Sequence, residues 1–395
     1  MPAKTVQLYE RERRAPKPQK PDKTARGFGK LDVGTLIMIL LLLVVGLIAL
    51  FSASYPAALY KFGDPTRFIR QQAMFGGLGI AAMLFVSAID YHVYARIQKP
   101  LFAAGIVLLI LVLIPGVGIN HNNATRWIEL PVIGEFQPSE LMKTAVILSF
   151  SYYAAKAGPK IRTLRYGLLP YVAALGLIAL LLYREPHLSA TIIIIGLGLC
   201  ILFVAGIKIW YFFPMGGAAV CAFALAYNTD RFAHVRDRIA VWINPFLDLR
   251  DKGWQGANSF VAIGSGGLWG VGLGQGRQKH LYLPEPQNDF IFSSWCEETG
   301  LIGAILVMIM FGYLIYRGLY IARNAKDKFG CLVAVGITCK LAIQTLVNLF
   351  VVSGLFPVTG ASLPFFSYGG TALLIQLGEM GILLNISRSM TRDSG

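Results

Sequence analysis

A chain of 395 residues that is 55% hydrophobic and only 14% charged cannot cover its apolar side chains with a polar surface in water, which excludes a soluble globular protein. The net charge of +15 does not imply a nucleic-acid partner. Much of it sits in residues 1–30, where Pro16, Pro18 and Pro21 alternate with Lys and Arg and no apolar period exists, so this tail is expected to be disordered and drawn to anionic lipid headgroups at ~1 kcal/mol per basic residue.

Apolar stretches long enough to cross ~30 Å of hydrocarbon, about 20 residues each, fall at 34–54, 71–89, 100–117, 139–155, 166–183, 188–207, 209–227, 289–316, 329–352 and 365–386. The expected fold is an all-α polytopic membrane protein of about ten transmembrane helices. It forms one membrane domain over residues 31–390 with a short end at 391–395. No cleavable signal peptide is expected, because the polar lead is long and no short apolar core with a small-residue cleavage site precedes the first span. Basic clusters fall at Arg96 and Lys99, at Lys156, Lys160, Arg162 and Arg165, at Arg317, Arg323, Lys326 and Lys328, and at Arg388 and Arg392. Ten spans put all of them on one side. Both termini are therefore read as cytoplasmic, with the segments near 55–70, 118–138, 228–288 and 353–364 outside.

The first polar outer segment carries Arg126-Trp127 and leads through Gln137-Pro138-Ser139-Glu140 to Lys143. Glu140 and Lys143 stand three apart on one helical face, so they form either an ion pair or part of a site. Residues 228–288 form the large extracytoplasmic loop between spans 7 and 8. It is rich in positive charge for an outward loop, with Arg231, Arg236, Arg238, Arg250, Lys252, Arg277 and Lys279; these either bind something anionic or pair with Asp230, Asp237, Asp248 and Asp251. Within it the glycine-rich run 262–276 lacks a preceding strand and a G-K-[ST], which excludes a nucleotide loop. Its glycines either bring backbone N–H groups close to a phosphate or sugar, or allow an irregular re-entrant turn.

Then Leu283-Pro284-Glu285-Pro286-Gln287-Asn288-Asp289 plunges into Phe290-Ile291-Phe292. A carboxylate at the mouth of a span is either a helix cap or a functional acid, since ionisable groups at that depth are costly unless they face protein or water. Its apolar neighbours favour a raised pKa and any nearby Arg or Lys opposes that. Further on, Pro357, Gly360, Pro364, Gly369 and Gly370 punctuate residues 356–371 and imply a broken or re-entrant helix. Cys200, Cys221, Cys296, Cys331 and Cys339 lie in expected spans without a C-x-x-C pair, and His92, His121, His187, His234 and His280 are scattered. No disulfide framework or protein metal cage is read from them.

These motifs together resemble the SEDS family of bacterial shape, elongation, division and sporulation proteins, whose members include FtsW, RodA and SpoVE. The matching residues are Arg126-Trp127, Gln137-Pro138-Ser139-Glu140-x-x-Lys143, the run 262–274 followed by Gln278-Lys279, Leu283 to Phe292, Glu297-Glu298-x-Gly300, and Pro357-x-Thr359-Gly360 through Gly370. The resemblance covers nearly all of the chain after the tail, and Tyr60-Lys61-Phe62-Gly63-Asp64-Pro65 looks more like FtsW or SpoVE than RodA. It implies a peptidoglycan glycosyltransferase polymerising lipid II on the outer face of the cytoplasmic membrane, with a class B penicillin-binding transpeptidase and other division or elongation proteins as partners, at the septum.

Carried over by motif, Asp289 matches the family's essential carboxylate and is the candidate general base. Arg126, Lys143, Arg277 and Lys279 are candidates to stabilise the leaving diphosphate. Trp127, Glu140, Gln278, Ser367 and Tyr368 are expected substrate contacts, and Glu297, Glu298, Pro364, Gly369 and Gly370 supporting residues. A divalent cation, Mg or Mn, would be held mainly by substrate phosphates. One departure is Glu185-Pro186-His187, where the family often has Gln-Pro-Asp, and no role is carried onto His187. A lipid II flippase would need charges relayed across the full depth, and a non-catalytic divisome scaffold would tolerate loss of Asp289.

Overall fold

The computed structural model describes residues 31–121, 124–131, 134–217, 221, 239–247 and 253–390. The basic tail, most of the expected seventh span, the basic cluster from Arg231 to Lys252 with its acidic partners, and residues 391–395 lie outside these. The chain is a helical polytopic membrane protein: eight helices among the described residues are long and apolar enough to cross a membrane. The helices in chain order are α1 (Val33–Phe62), α2 (Arg67–Ala88), α3 (His92–Val112), α4 (Pro138–Ala157), α5 (Leu169–Arg184), α6 (Leu188–Ala205), α7 (Trp254–Gly266), α8 (Ile291–Arg323), α9 (Lys328–Val352) and α10 (Gly370–Arg388). Of these, α5 reaches spanning length together with the π-helical turn Leu164–Leu168 before it, α4 has the length of a span but carries Glu140, Lys143 and Lys156, and α7 has only 13 residues.

Several boundaries differ from expectation. Helix α1 runs on past residue 54, through Pro56, to a left-handed Gly63 whose N–H bonds the Leu59 carbonyl. Helix α3 begins at His92, eight residues ahead of Pro100, which sits inside it. The last span begins at Gly370 rather than residue 365, because the Pro- and Gly-rich stretch before it is non-helical. The expectation of helix alone is also corrected. Residues in the 118–138 segment form a three-stranded antiparallel sheet, β1 (Gly118–His121), β2 (Ala124–Leu130) and β3 (Gly134–Phe136), in the order β1-β2-β3. Ile128 faces Gly118 on one side and Phe136 on the other. The pairing of β2 with β1 steps over Arg126, because Trp127 faces Ile119 while Thr125 faces Asn120, an irregularity of the β-bulge kind.

Helices α4 and α9 are the centre. α9 is enclosed by α4, α6, α8 and α10, and α4 by α3, α6 and α9, so both are buried on most sides. Yet α9 carries Lys340, Gln344 and Asn348 at four-residue spacing, hence on one face. Each makes hydrogen bonds there, although the Asn348 amide oxygen has no partner among the described residues. Lys340 Nζ lies 2.8 Å from Glu379 on α10 and 3.8 Å from Glu140. Lys143 Nζ donates to Glu140 at 2.7 Å and to the Gln344 amide oxygen at 3.1 Å, and Thr144 donates to Glu379. Two acids and two bases thus form a neutral buried cluster, the condition under which charge is tolerated inside a membrane.

A second set of polar contacts repairs a broken helix. Gly300 interrupts α8 with φ 67° and ψ −166°. Two hydrogen bonds that a continuous helix would make are exchanged with the glycine-rich run. Val271 and Gly272 donate to the carbonyls of Glu297 and Glu298, while Leu301 and Ile302 donate to those of Gly267 and Leu268. Residues 253–276 are therefore not a free exterior loop: α7 and this run lie against α8, and Ser259 bonds Ser293 and the Val352 carbonyl. A Cβ at Gly266, Gly270 or Gly300 would strike main-chain atoms, so the glycines are there for close backbone approach, the re-entrant alternative.

Two outcomes follow from this packing. Lys340→Met strands Glu379 in the bundle and is expected to cost about 3–5 kcal/mol, with Lys340→Met/Glu379→Leu recovering much of it. Thermal unfolding of the detergent-solubilised protein measures both, and equal loss in single and double variants would contradict the pairing. Gly300→Ala combines a backbone conformation reserved for glycine, about 1–3 kcal/mol, with a clash against Leu268 and Gly270. It is expected to lower the unfolding temperature more than Gly264→Ala, where a Cβ meets open space.

Candidate active site

Asp289 lies two residues ahead of α8, in a connecting segment held by its own main chain. Asn348 on α9 donates its amide to the Asp289 carbonyl and the Ala361 carbonyl, each at 2.7 Å. Ser367 donates to the Asn288 carbonyl at 2.7 Å and accepts the Leu363 N–H. The Tyr368 N–H bonds the Gln287 carbonyl. Three consecutive carbonyls are thereby tied to α9 and to residues 361–368, which leaves the carboxylate as the projecting group. The cap of α8 is Phe290, without a side-chain cap bond, so Asp289 is not the helix cap.

The Asp289 side chain meets Arg126 across Gly360. A Cβ on Gly360 would lie 3.3 Å from Asp289 Oδ2 and 3.8 Å from an Arg126 terminal nitrogen, so a bare backbone separates acid and base. Gly360 has φ 74°, and Ser189 bonds its carbonyl at 3.3 Å. Arg126 is aimed from β2 and steadied by the turn between α5 and α6, donating to the carbonyls of Glu185 and Pro186. Glu185 in that turn is buried and neither carboxyl oxygen has a hydrogen-bond partner among the described residues. Its neighbour His187, also buried, lies 3.4 Å from the Gln137 amide nitrogen.

These surroundings set the charge states. Burial raises Asp289 to about 6, against the opposing field of Arg126 and with a further push from Glu285. Burial likewise raises Glu185 to about 8 despite Arg126. It lowers His187 to about 3, reinforced by Arg126 and Lys143. At neutral pH, Asp289 is therefore ionised, Glu185 protonated and His187 neutral. One carboxylate able to take a proton, one carboxylic acid and one guanidinium converge, an arrangement suited to acid–base chemistry beside a developing anion.

The other expected site residues are engaged elsewhere. Lys143 and Glu140 pair in the buried cluster, and Lys279 is buried against Glu298 at 2.6 Å and Ser52 at 3.0 Å. The four cations expected around a leaving group therefore do not gather as one set: Arg126 stands beside Asp289, whereas Lys143 and Lys279 are in ion pairs, and the Arg277 side chain is exposed. The Arg277 and Gln278 N–H groups bond the Glu297 carboxylate. Glu297 and Glu298 thus anchor residues 277–279. The Tyr368 hydroxyl donates to Gln71 at 2.7 Å, Gly369 N–H to Gln72, and Pro364 is buried. Gly370 abuts Phe75. Trp127 faces Ile119 of β1.

Sequence reasoning missed Glu185, Ser189, Lys340, Gln344, Asn348 and Glu379. The spacing Lys340-x₃-Gln344-x₃-Asn348 inside an apolar helix was a visible signal; Glu185 and Ser189 carried none beyond their place in a Pro-containing turn.

Residues 34–392 match the family FTSW_RODA_SPOVE, described as cell cycle protein. Stage V sporulation protein E of Bacillus subtilis is 41% identical over 359 residues, 90% of this chain and 97% of that protein. The protein named "Probable peptidoglycan glycosyltransferase FtsW" of Trichlorobacter lovleyi is 40% identical over 359 residues, 91% of this chain and 93% of its own. Among solved structures, one titled "Structural coordination of polymerization and crosslinking by a peptidoglycan synthase complex" superposes with a TM-score of 0.74 at 26% identity, over 92% of this chain and 99% of that one. The rod shape determining protein RodA of Thermus thermophilus does so at 0.67, also 26% identical, over 92% and 98%. With a matching architecture and similarity spanning the whole membrane domain, the chain belongs to the FtsW, RodA and SpoVE family of cell cycle proteins.

Proposed function

We propose that this protein is a peptidoglycan glycosyltransferase that polymerises lipid II on the outer face of the bacterial cytoplasmic membrane during septal wall synthesis. The observation that carries the reading is the Asp289 carboxylate facing Arg126 across Gly360, ionised at neutral pH with a pKa of about 6. Relatives named for this activity support it. Asp289 takes the proton of the acceptor sugar hydroxyl as its oxygen attacks the anomeric carbon. The bond to the undecaprenyl diphosphate breaks, and a single displacement inverts the anomeric centre with no protein nucleophile. Arg126 meets charge developing on the diphosphate. Protonated Glu185 stays neutral beside it.

A divalent cation, Mg or Mn, enters this reading as a companion of the diphosphate. Among the described residues no group of three or more His, Cys, Asp or Glu could hold one, so the phosphate oxygens would supply most of its ligands. The solved relative named as a peptidoglycan synthase complex supports a crosslinking partner, here a class B penicillin-binding transpeptidase, with other division or elongation proteins nearby. Both termini are cytoplasmic in this reading, as the basic helix ends require.

Polymerisation of labelled lipid II by the purified chain, with and without the transpeptidase, tests the assignment. Asp289→Asn is expected to reduce polymer about 10²- to 10⁴-fold; equal polymer from wild type and variant, or none from a folded wild-type complex, would refute it and make lipid II flipping in liposomes the next assay. The pH dependence carries a sign. A base with a pKa of about 6 is active above that value, so kcat/KM is expected to fall as pH drops through about 6. Because Arg126 opposes the rise in the Asp289 pKa, Arg126→Ala is expected to move this acid limb upward as well as lower the rate. A limb unmoved in Arg126→Ala would show that the two groups do not interact.

A further inference from the structure

The end of α4 opposite the Asp289 site holds a cavity of about 610 Å³, bounded by α3, α4 and the start of α5. The cavity begins at Ser149, partway along α4 (Pro138–Ala157), so roughly 15–30 Å of helix separates the two sites. The cavity floor is apolar and aromatic, with Phe102, Phe150, Tyr171 and Ala174. Its rim is basic: Lys99, Lys156, Lys160 and Arg165. No Asp or Glu lines it, and none of these four cations makes a salt bridge among the described residues. Three of them lie over ring faces. Lys156 lies 5.9 Å from the Tyr152 centroid, and Lys160 and Arg165 lie 6.0 and 5.9 Å from that of Tyr166. Gln98, 2% exposed, also lines the cavity, and its side-chain oxygen has no partner.

Four like charges around an apolar recess are self-repelling without an anion, and an aromatic floor within a membrane protein calls for hydrocarbon. An amphiphile with a phosphate head answers both. A free phosphate would answer the rim alone. Pockets of this size hold a substantial part of a small amphiphile, and basic pockets between helices at the cytoplasmic face attract anionic headgroups.

We propose that this cavity is a binding site for an anionic phospholipid. The headgroup phosphate sits among Lys99, Lys156, Lys160 and Arg165, and an acyl chain lies against Phe102 and Tyr171. The proposed topology decides only which leaflet supplies the lipid; binding to the solubilised protein does not depend on it.

Native mass spectrometry of the full chain with phosphatidylglycerol or phosphatidylcholine tests this. Wild type is expected to retain phosphatidylglycerol preferentially. Lys156→Gln/Lys160→Gln/Arg165→Gln is expected to lose about fivefold in affinity for each cation removed, and Lys156→Arg/Lys160→Arg/Arg165→Lys to keep it. Ala174→Phe, which fills the floor and leaves the charges, is expected to weaken retention, and Arg323→Gln/Lys326→Gln at the same membrane face to leave it unchanged. Undiminished lipid in the triple Gln protein or in Ala174→Phe would overturn the proposal. So would equal loss in the Arg323/Lys326 control, or full displacement by inorganic phosphate.

Discussion

In hydrocarbon a backbone N–H or C=O without a partner costs several kcal/mol, and the exchange at Gly300 is where this chain answers that constraint most directly. A helix broken inside a bundle exposes donors and acceptors that water cannot reach. Here the glycine-rich run supplies two donors to the carbonyls of Glu297 and Glu298 and two acceptors to the amides of Leu301 and Ile302. Because the break is repaired by main chain, α7 and residues 267–276 dock beside α8, and Glu297 and Glu298 are positioned to anchor residues 277–279. The turn that presents Asp289 follows from that anchorage.

The same constraint organises the side chains of the core. Lys340, Gln344 and Asn348 project from one face of α9, and each meets a different obligation: a carboxylate on α10, the Ser362 backbone and side chain, and the paired carbonyls of Asp289 and Ala361. Polar groups that would destabilise a lone span become the means by which α4, α9, α10 and the segment before α10 are held in register. Arg126 reaches the same place from a different structural type. Where the pairing of β2 steps over Arg126 the strand bulges, and its guanidinium donates to the carbonyls of the turn between α5 and α6.

Much of the fold was legible because hydrophobic length is a strong signal in membranes: eight of the expected spans reappear as long apolar helices with shifted ends. The misjudged boundaries share a cause. The first span was ended at residue 54, just ahead of Pro56, and the third begun at Pro100, yet both prolines sit inside helices; the cap alternative for Asp289 arose because the apolar run begins beside it. The small sheet was invisible to a reading tuned to twenty-residue apolar runs, and Thr125 to Leu130 does not alternate strictly enough to signal a strand. At the site, Asp289 and Arg126 stood out through motif, and Glu140 beside Lys143 was visible as a helical-face pair, whereas the pairing of Lys279 with Glu298, 19 residues on, and the further contacts to Gln344 and Ser52 depend on the tertiary fold.

The two exchanged pairs of hydrogen bonds have a geometric meaning for the segment between them. Together with the covalent chain from residue 267 to residue 302 they close a ring, and Asp289 is a member of it. An ordinary exposed connector absorbs an added or missing residue by bulging outward. A closed ring has a fixed circumference, so a change of length between its fastenings displaces everything on it, including a carboxylate whose distance to Arg126 is set from outside the ring by β2. The stretch from Leu273 to Tyr282 is mostly exposed and looks permissive, but its residue count is part of the geometry of the site.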